Sequence, residues 1–245
     1  MKKRIALVTG AGKGIGRAIT QRLVDENYFV IAIDIEKETE ITFQKDFSAN
    51  QIAFIAADIS KEKNVDSLFK TIQKKYSRLD VLVNNAGIIA DNMIWKMSVE
   101  DFDKVINVNL RGTWLMCKEA AKIMKEQKSG RIINIASRAW LGNKGQSNYS
   151  SSKAGVVSLT RVLALELGKY NVLVNAVAPG LIDTPLTQKL EKDVLQKLIE
   201  AQPTKTMGKP EDIGNIVAFL ASEKTQFITG QTIYVDGGKS IGAGM

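Results

Sequence analysis

The sequence predicts an α/β fold in which one domain is built on a doubly wound, parallel sheet. Short β-branched runs alternate with longer amphipathic stretches along the chain. The apolar period changes from about 2 to about 3.6 at each change of element. The first run ends in a glycine-rich turn that leads directly into a helical pattern, and 245 residues of 44% hydrophobic content suffice for one sizeable core.

The elements justify that reading in order. Candidate strands are Arg4–Thr9, Phe29–Asp34, Gln51–Ala56, Asp80–Val83, Arg131–Ala136, Asn171–Ala176 and Thr232–Val235. Candidate helices lie at about 14–27, 60–77, 99–127, 148–168 and 210–222, with shorter patterns near 36–49 and 185–201. A strand cannot reach a parallel neighbour by a tight turn, so helices between strands imply right-handed crossovers and a sheet covered on both faces. Ligands then bind at the carboxyl ends of the strands, near the point where strand order reverses.

Composition narrows the function classes. The opening Met1-Lys2-Lys3-Arg4 leads into Ile5–Val8, a run too short for the apolar core of a secretion signal, and a cytoplasmic location is expected. No apolar run reaches about 18 residues, so a soluble chain is expected, with no membrane partner. The net charge of +8 is spread along the sequence without an aromatic-and-basic repeat, which argues against nucleic acid. Cys117 has no second cysteine to pair with and is read as a small buried residue. The absence of histidine excludes a histidine-based triad, one cysteine cannot build a Cys-rich zinc site, and no metal is expected.

The turn after the first strand reads Thr9-Gly10-Ala11-Gly12-Lys13-Gly14-Ile15-Gly16. Glycines there permit a tight turn and let backbone amides at a helix N-terminus approach a pyrophosphate. A purely structural turn is the bland alternative. The second strand ends at Asp34-Ile35, where a carboxylate accepts from adenosine ribose hydroxyls and repels a 2′-phosphate; capping the following helix is the compatible local reading. Asp58-Ile59 ends the third strand, positioned to meet an adenine edge, and Asn84-Asn85-Ala86-Gly87 ends the fourth with small residues that let backbone lie against a flat ligand.

Asn148-Tyr149-Ser150-Ser151-Ser152-Lys153 carries the chemistry. Four-residue spacing on a helix puts Tyr149 and Lys153 on one face. A phenol ionises near pH ~10, and an adjacent ammonium is expected to lower that value and make Tyr149 a usable acid or base. Ser137 follows the fifth strand and stands at the same sheet edge, where its hydroxyl can donate to a carbonyl oxygen or form a local cap.

Over residues 3–245 these pieces resemble a classical short-chain dehydrogenase/reductase, together with Asn107-Val108-Asn109-Leu110 and Pro179-Gly180-Leu181-Ile182-Asp183-Thr184. The resemblance implies a Rossmann fold with a seven-stranded parallel sheet, a nicotinamide dinucleotide, and a catalytic tetrad of Asn109, Ser137, Tyr149 and Lys153. In that scheme Ser137 and Tyr149 hold the carbonyl oxygen, Lys153 binds the nicotinamide ribose and Asn109 supports a water in the proton relay. Ile182 and Thr184 meet the carboxamide. Within the family, the Ala86–Met93 stretch, Val217–Ser222 and Ile228–Gly238 look most like bacterial 3-oxoacyl-[acyl-carrier-protein] reductases. Those relatives usually use NADP(H), and Lys13 and Lys37 leave it possible. The carboxylate of Asp34 favours NAD(H).

Arg138 and Trp140 lie between Ser137 and Tyr149, and with Gln146 are candidate substrate contacts, loop packing being the alternative. Leu186, Leu190, Val194, Leu195 and Leu198 mark an amphipathic lid over about 184–202, and Met93, Ile94, Trp95 and Met97 form a second apolar group there or in the core. Three functions stay open. One is reduction of a 3-oxoacyl-thioester, with an acidic acyl-carrier protein meeting basic residues such as Lys128, Arg131, Arg161 or Lys169. The second is NAD-linked oxidation of a hydroxyacyl-thioester, sugar or polyol. The third is a non-catalytic dinucleotide-binding regulator. The resemblance also implies a homotetramer through the helices at 99–127 and 148–168 and the last strand.

Overall fold

The computed structural model describes residues 3–241; Met1, Lys2 and residues 242–245 of the expected domain lie outside them. The first half of the chain forms β1 (Ile5–Thr9), α1 (Gly14–Asp25), β2 (Phe29–Asp34), α2 (Thr39–Asp46), β3 (Ile52–Ala56), α3 (Glu62–Tyr76) and β4 (Val81–Asn84). Then come α4 (Val99–Ile106), a π-helical segment (Asn107–Gly112), α5 (Thr113–Gln127), β5 (Gly130–Ile135), a 3-10 turn (Arg138–Leu141) and α6 (Ser147–Leu167). The last part holds β6 (Val172–Pro179), α7 (Lys192–Glu200), α8 (Pro210–Ala221) and β7 (Thr232–Val235), with further 3-10 turns at Gly168–Tyr170 and Thr187–Lys189.

All seven strands pair in parallel, in the order β3-β2-β1-β4-β5-β6-β7. In the centre Leu7 of β1 registers with Ile31 of β2 and with Leu82 of β4. Strand order reverses between β1 and β4, which opens a crevice at their carboxyl ends.

Alternation along the strands builds two cores. Leu7, Ile31, Ile33, Leu82 and Ile132 face one side, where they pack with Leu68 and Ile72 of α3, Met116 and Met124 of α5, and Leu163 of α6. Their neighbours Ala6, Val8, Val30, Ala32, Val81 and Val83 face the other, against Ile19 and Leu23 of α1, Phe43 of α2, and Ile213 and Val217 of α8. Each large side chain so buried is worth roughly 1.5–3 kcal/mol.

Several expectations change. The predicted helix 99–127 is interrupted by the π-helical segment, and the pattern at 185–201 becomes a 3-10 turn followed by α7. β6 runs on to Pro179, because Ala176–Pro179 pair with Thr232–Val235 at the sheet edge and proline closes the strand. Arg131, expected on a basic surface, is buried; its Nη atoms donate to the carbonyls of Gly130 and Thr225. Cys117 is buried, and desolvation pushes its thiol up to about 12. No helix among the described residues is long and apolar enough to cross a membrane.

Candidate active site

The glycine turn after β1 is shaped by contacts that only hydrogen allows. A Cβ on Gly16 would fall 1.9 Å from the Gly10 carbonyl oxygen, and Gly10 itself has φ +62. A Cβ on Gly12 would fall 2.8 Å from Asp34 Oδ2; that oxygen instead accepts from the Gly12 amide at 2.9 Å. The turn is therefore bare backbone beside a carboxylate, a surface that fits the pyrophosphate and ribose of a dinucleotide.

Asp34 does not cap α2. Its Oδ1 accepts from the amides of Ile35 at 2.8 Å and Glu36 at 3.3 Å, so the side chain is fixed at the tip of β2. Lys13, the candidate base for a phosphate, pairs with Glu36 at 2.9 Å and its pKa is raised by that bond. Asp58 bonds the amide and hydroxyl of Ser60, and Ile59 is buried under Gly112.

The end of β4 is locked to β1. Asn85 Nδ2 donates to the carbonyls of Thr9 and Gly10, while Thr9 Oγ1 accepts from the amides of Asn85 and Ala86. A Cβ on Gly87 would lie 3.3 Å from Asn109 Oδ1 and 3.6 Å from Lys153 Nζ, so β4, the π-helical segment and α6 converge here. On the far side, Gly180 donates to Val235, and Ile182 is buried. A Cβ on Gly14 would lie 3.5 Å from Thr184 Cγ2, which places the segment after Pro179 against the glycine turn.

The tetrad residues come together from three elements. Asn109 is fully buried; it accepts from the Ile88 amide at 2.8 Å and donates to the Ile88 carbonyl at 2.9 Å and to Ser152 Oγ at 3.2 Å. Ser137 caps the 3-10 turn by accepting from the Ala139 amide, and its hydroxyl is close enough to the Tyr149 phenol to oppose the rise of the phenol's pKa. Lys153 Nζ donates to the Ile135 carbonyl at 2.8 Å and lies 5.6 Å from the centre of the Tyr149 ring.

One electrostatic expectation is corrected. Burial pushes the Tyr149 phenol up, the Ser137 bond opposes that rise, and the charge of Asp91 adds to it. The ammonium does not depress the phenol in this geometry. Burial has weakened Lys153 itself, lowering its pKa to about 8.

Among the substrate candidates, Trp140 stacks on Tyr234 with ring centres 6.5 Å apart, the packing arrangement. Arg138 makes no ion pair, and its buried Nε lacks a partner among the described residues. Gln146 is tied to Asp91 and Asn143. Leu186, Leu190, Val194 and Leu198 are exposed, as are Ile94 and Trp95. Sequence reasoning passed over Ser152, which supports Asn109, and Asn148, whose Nδ2 donates to the Ala90 carbonyl at 2.8 Å. The position of Asn148 immediately before Tyr149 was the available signal.

A family model described as enoyl-(acyl carrier protein) reductase matches residues 10–240. The chain belongs to the short-chain dehydrogenase/reductase family. This short-chain dehydrogenase/reductase is 44% identical, over 100% of its length and 99% of the relative's, to the (2S)-[(R)-hydroxy(phenyl)methyl]succinyl-CoA dehydrogenase subunit BbsD of Thauera aromatica. It is 39% identical to a 3-oxoacyl-[acyl-carrier-protein] reductase of Thermotoga maritima, over 97% of this chain and 98% of that one. A solved structure of ElxO with NADP bound superposes with a TM-score of 0.92 at 35% identity, covering 97% and 99% of the two chains. The chain is accordingly an NAD(P)-dependent oxidoreductase with the Rossmann-like, seven-stranded parallel fold of that family.

Proposed function

We propose that this short-chain dehydrogenase/reductase interconverts 3-oxoacyl and 3-hydroxyacyl thioesters, acting as a reductase of the 3-oxoacyl-carrier-protein or acetoacetyl-CoA type. The observation that carries the reading is the gathering of Ser137, just past β5, and Tyr149 around the buried Lys153, whose Nζ bonds the Ile135 carbonyl at 2.8 Å and lies 5.6 Å from the Tyr149 ring centre. Two adjacent hydroxyls converge on one oxygen, which suits a carbonyl; reduction of a carbon–carbon double bond would need its proton at carbon.

A reduced nicotinamide, when bound, supplies the hydride. Ser137 then holds the carbonyl oxygen, and Tyr149 gives that oxygen its proton as the C–O double bond becomes a single bond. A secondary alcohol leaves, and the phenolate regains a proton from solvent through the Asn109 side. In the opposite direction the phenolate takes the proton. Lys153 would hold the nicotinamide ribose, and the backbone of Gly10–Gly16, Asn85–Gly87 and Pro179–Thr184 would line the dinucleotide.

NAD(H) is the favoured cofactor. What supports this is the carboxylate of Asp34, held at the tip of β2 by the Gly12 and Ile35 amides, which would repel a 2′-phosphate, and the pairing of Glu36 with Lys13, the lysine that would otherwise receive one. Arg138 meets an anionic or extended acyl group, because its guanidinium, next in sequence to Ser137, makes no ion pair among the described residues and its buried Nε lacks a partner there. Identity to the hydroxy(phenyl)methylsuccinyl-CoA dehydrogenase subunit supports a second reading, NAD-linked oxidation of a hydroxyacyl-CoA. An acyl-carrier protein would meet Lys128, Arg161 and Lys169, all exposed. A homotetramer in the cytoplasm completes the proposal. Exposed Trp114 of α5, Val162 and Leu165 of α6, Phe219 of α8 and Phe227 in the segment before β7 supply apolar surface for it.

The test is steady-state reduction of acetoacetyl-CoA with NADH and NADPH in parallel, with Tyr149→Phe as control. Turnover with NADH that the variant lacks supports the reading. Turnover retained by the variant, or none with either nucleotide, removes it, and a panel of alcohols with NAD then tests sugar or polyol oxidation.

A further inference from the structure

The backbone of Tyr149 is held at both ends by side chains that lead to one short stretch, Ile88–Ala90. Its amide lies in the first turn of α6, where a helix leaves N–H groups without partners, and Gln146 at the N-cap makes no side-chain capping bond. Asn148 Oδ1 accepts from that amide at 2.7 Å, while Asn148 Nδ2 donates to the Ala90 carbonyl at 2.8 Å. The Tyr149 carbonyl accepts from Ser152 Oγ at 2.7 Å, and Ser152 Oγ accepts in turn from Asn109 Nδ2 at 3.2 Å. Asn109 closes the ring on the amide and carbonyl of Ile88.

A serine that bonds the carbonyl three residues back is a local habit of helices. The link to Asn109 is not local, because it spans 43 residues and joins the π-helical segment to α6. Its polarity is fixed: the carbonyl only accepts, the amide nitrogen only donates, and the hydroxyl between them does both. The other N–H of Asn109 is committed to Ile88. Asn109, Asn148 and Ser152 are all fully buried, so a lost partner here is not replaced by bulk water. Three residues further along α6, a Cβ on Gly155 would fall 2.7 Å from Leu110 Cδ2, so the helix and the π-helical segment are in close contact at the same junction. Gly155 allows the approach, and Ser152 supplies the polar contact that sets its register.

We propose that Ser152 is a positioning residue for proton transfer: its hydroxyl locks the Asn109 side chain to the turn of α6 that carries Tyr149. The proposal rests on the reading of Tyr149 as the proton donor and of Asn109 as the side through which its proton returns.

Removing the hydroxyl leaves Ser137, Tyr149 and Lys153 chemically intact but strands one N–H of Asn109 in a buried place. Asn109 is then free to turn away from α6, and the return of the proton to the phenolate slows. The glycine turn after β1 and the segment after Pro179 are built without Ser152, so binding of nucleotide and substrate is expected to change little. The loss falls on kcat.

The experiment is a double-mutant cycle of Ser152→Ala and Asn109→Ala. It is read by steady-state acetoacetyl-CoA reduction with NADH, or by the alcohol and nucleotide that the wild type turns over. Ser152→Ala alone is expected to lower kcat about tenfold with both KM values within about twofold of wild type. In the Asn109→Ala background the same substitution is expected to change kcat by less than about twofold, since nothing remains for the hydroxyl to hold. Backbone amide exchange gives a reading without catalysis: the Ile88 amide, which donates to Asn109, is expected to exchange about tenfold faster in Ser152→Ala, while Ile31 of β2 is unchanged. Thermal unfolding midpoints verify that each variant is folded. An equal loss of kcat in both backgrounds assigns Ser152 to general packing of α6 and overturns the proposal, as does an unchanged kcat or unchanged exchange at Ile88. In those cases Tyr149→Phe still abolishes turnover and the reading of Tyr149 stands. Turnover surviving Tyr149→Phe, or a wild type inert on every substrate, overturns that reading and the proposal with it.

Discussion

The ammonium of Lys153 is held 2.8 Å from the carbonyl oxygen of Ile135, the last residue of β5, inside a site that buries it almost completely. Its pKa has fallen from 10.5 to about 8 through desolvation. Between those two values the unfolded chain binds the extra proton, so stability rises with pH across that window. Below it, burial of the charge costs about 3 kcal/mol, part of which the Ile135 bond offsets. Lys153→Met is expected to raise the thermal midpoint at neutral pH by roughly 3 °C or more and to flatten the rise in stability above pH 8, while abolishing turnover. Calorimetry at two pH values and an activity assay check it; a lower midpoint at neutral pH would contradict the assignment.

Cofactor choice should follow the two carboxylates after β2. Asp34→Asn with Glu36→Gln removes the charge opposed to a 2′-phosphate and frees Lys13 to receive one. The ratio of kcat/KM for NADPH over NADH is expected to rise at least about tenfold. An unchanged ratio would mean that Asp34 serves only the Gly12, Ile35 and Glu36 amides.

Two glycines provide a matched pair. Gly16→Ala drives a methyl into the Gly10 carbonyl at 1.9 Å, whereas at Gly142, φ +107, a Cβ meets nothing within 4 Å. The first is expected to cost more than about 3 kcal/mol or leave no folded protein; the second costs about 1 kcal/mol of backbone strain. Denaturant melts of both distinguish close approach from conformation.

Arg138→Gln tests the unpartnered guanidinium. KM for an acyl-CoA carrying a free carboxylate is expected to rise about tenfold or more, with acetoacetyl-CoA little affected. Equal effects on both substrates would place Arg138 in packing of the turn.

What was legible in the sequence was local. Tyr149 and Lys153 share a helix, so their spacing alone puts them on one face, and the Gly10–Gly16 turn announces itself by composition. The strands were readable because each alternates between the two cores. The Asp91–Gln146 bond spans 55 residues, and no pattern near either end signals it. The depressed phenol expected from the Tyr149–Lys153 spacing failed for a related reason: spacing reports neighbours but not depth, and burial dominates here. The α7 region was recognised as amphipathic, yet periodicity does not say what an apolar face will meet, and most of those leucines are exposed.

The π-helical segment at Asn107–Gly112 has a consequence for how this chain tolerates changes of length. A π turn carries one residue more than an α turn. Deleting one residue there would let α4 and α5 run together as an uninterrupted α-helix, and as a helix the product would be the more regular one. The same deletion would rotate one half of that helix by about 100° relative to the other and uncouple Asn109 from Ile88. Regularity and competence thus pull in opposite directions at this spot, and the irregular turn survives as a spacer that the active centre, rather than the helix, requires.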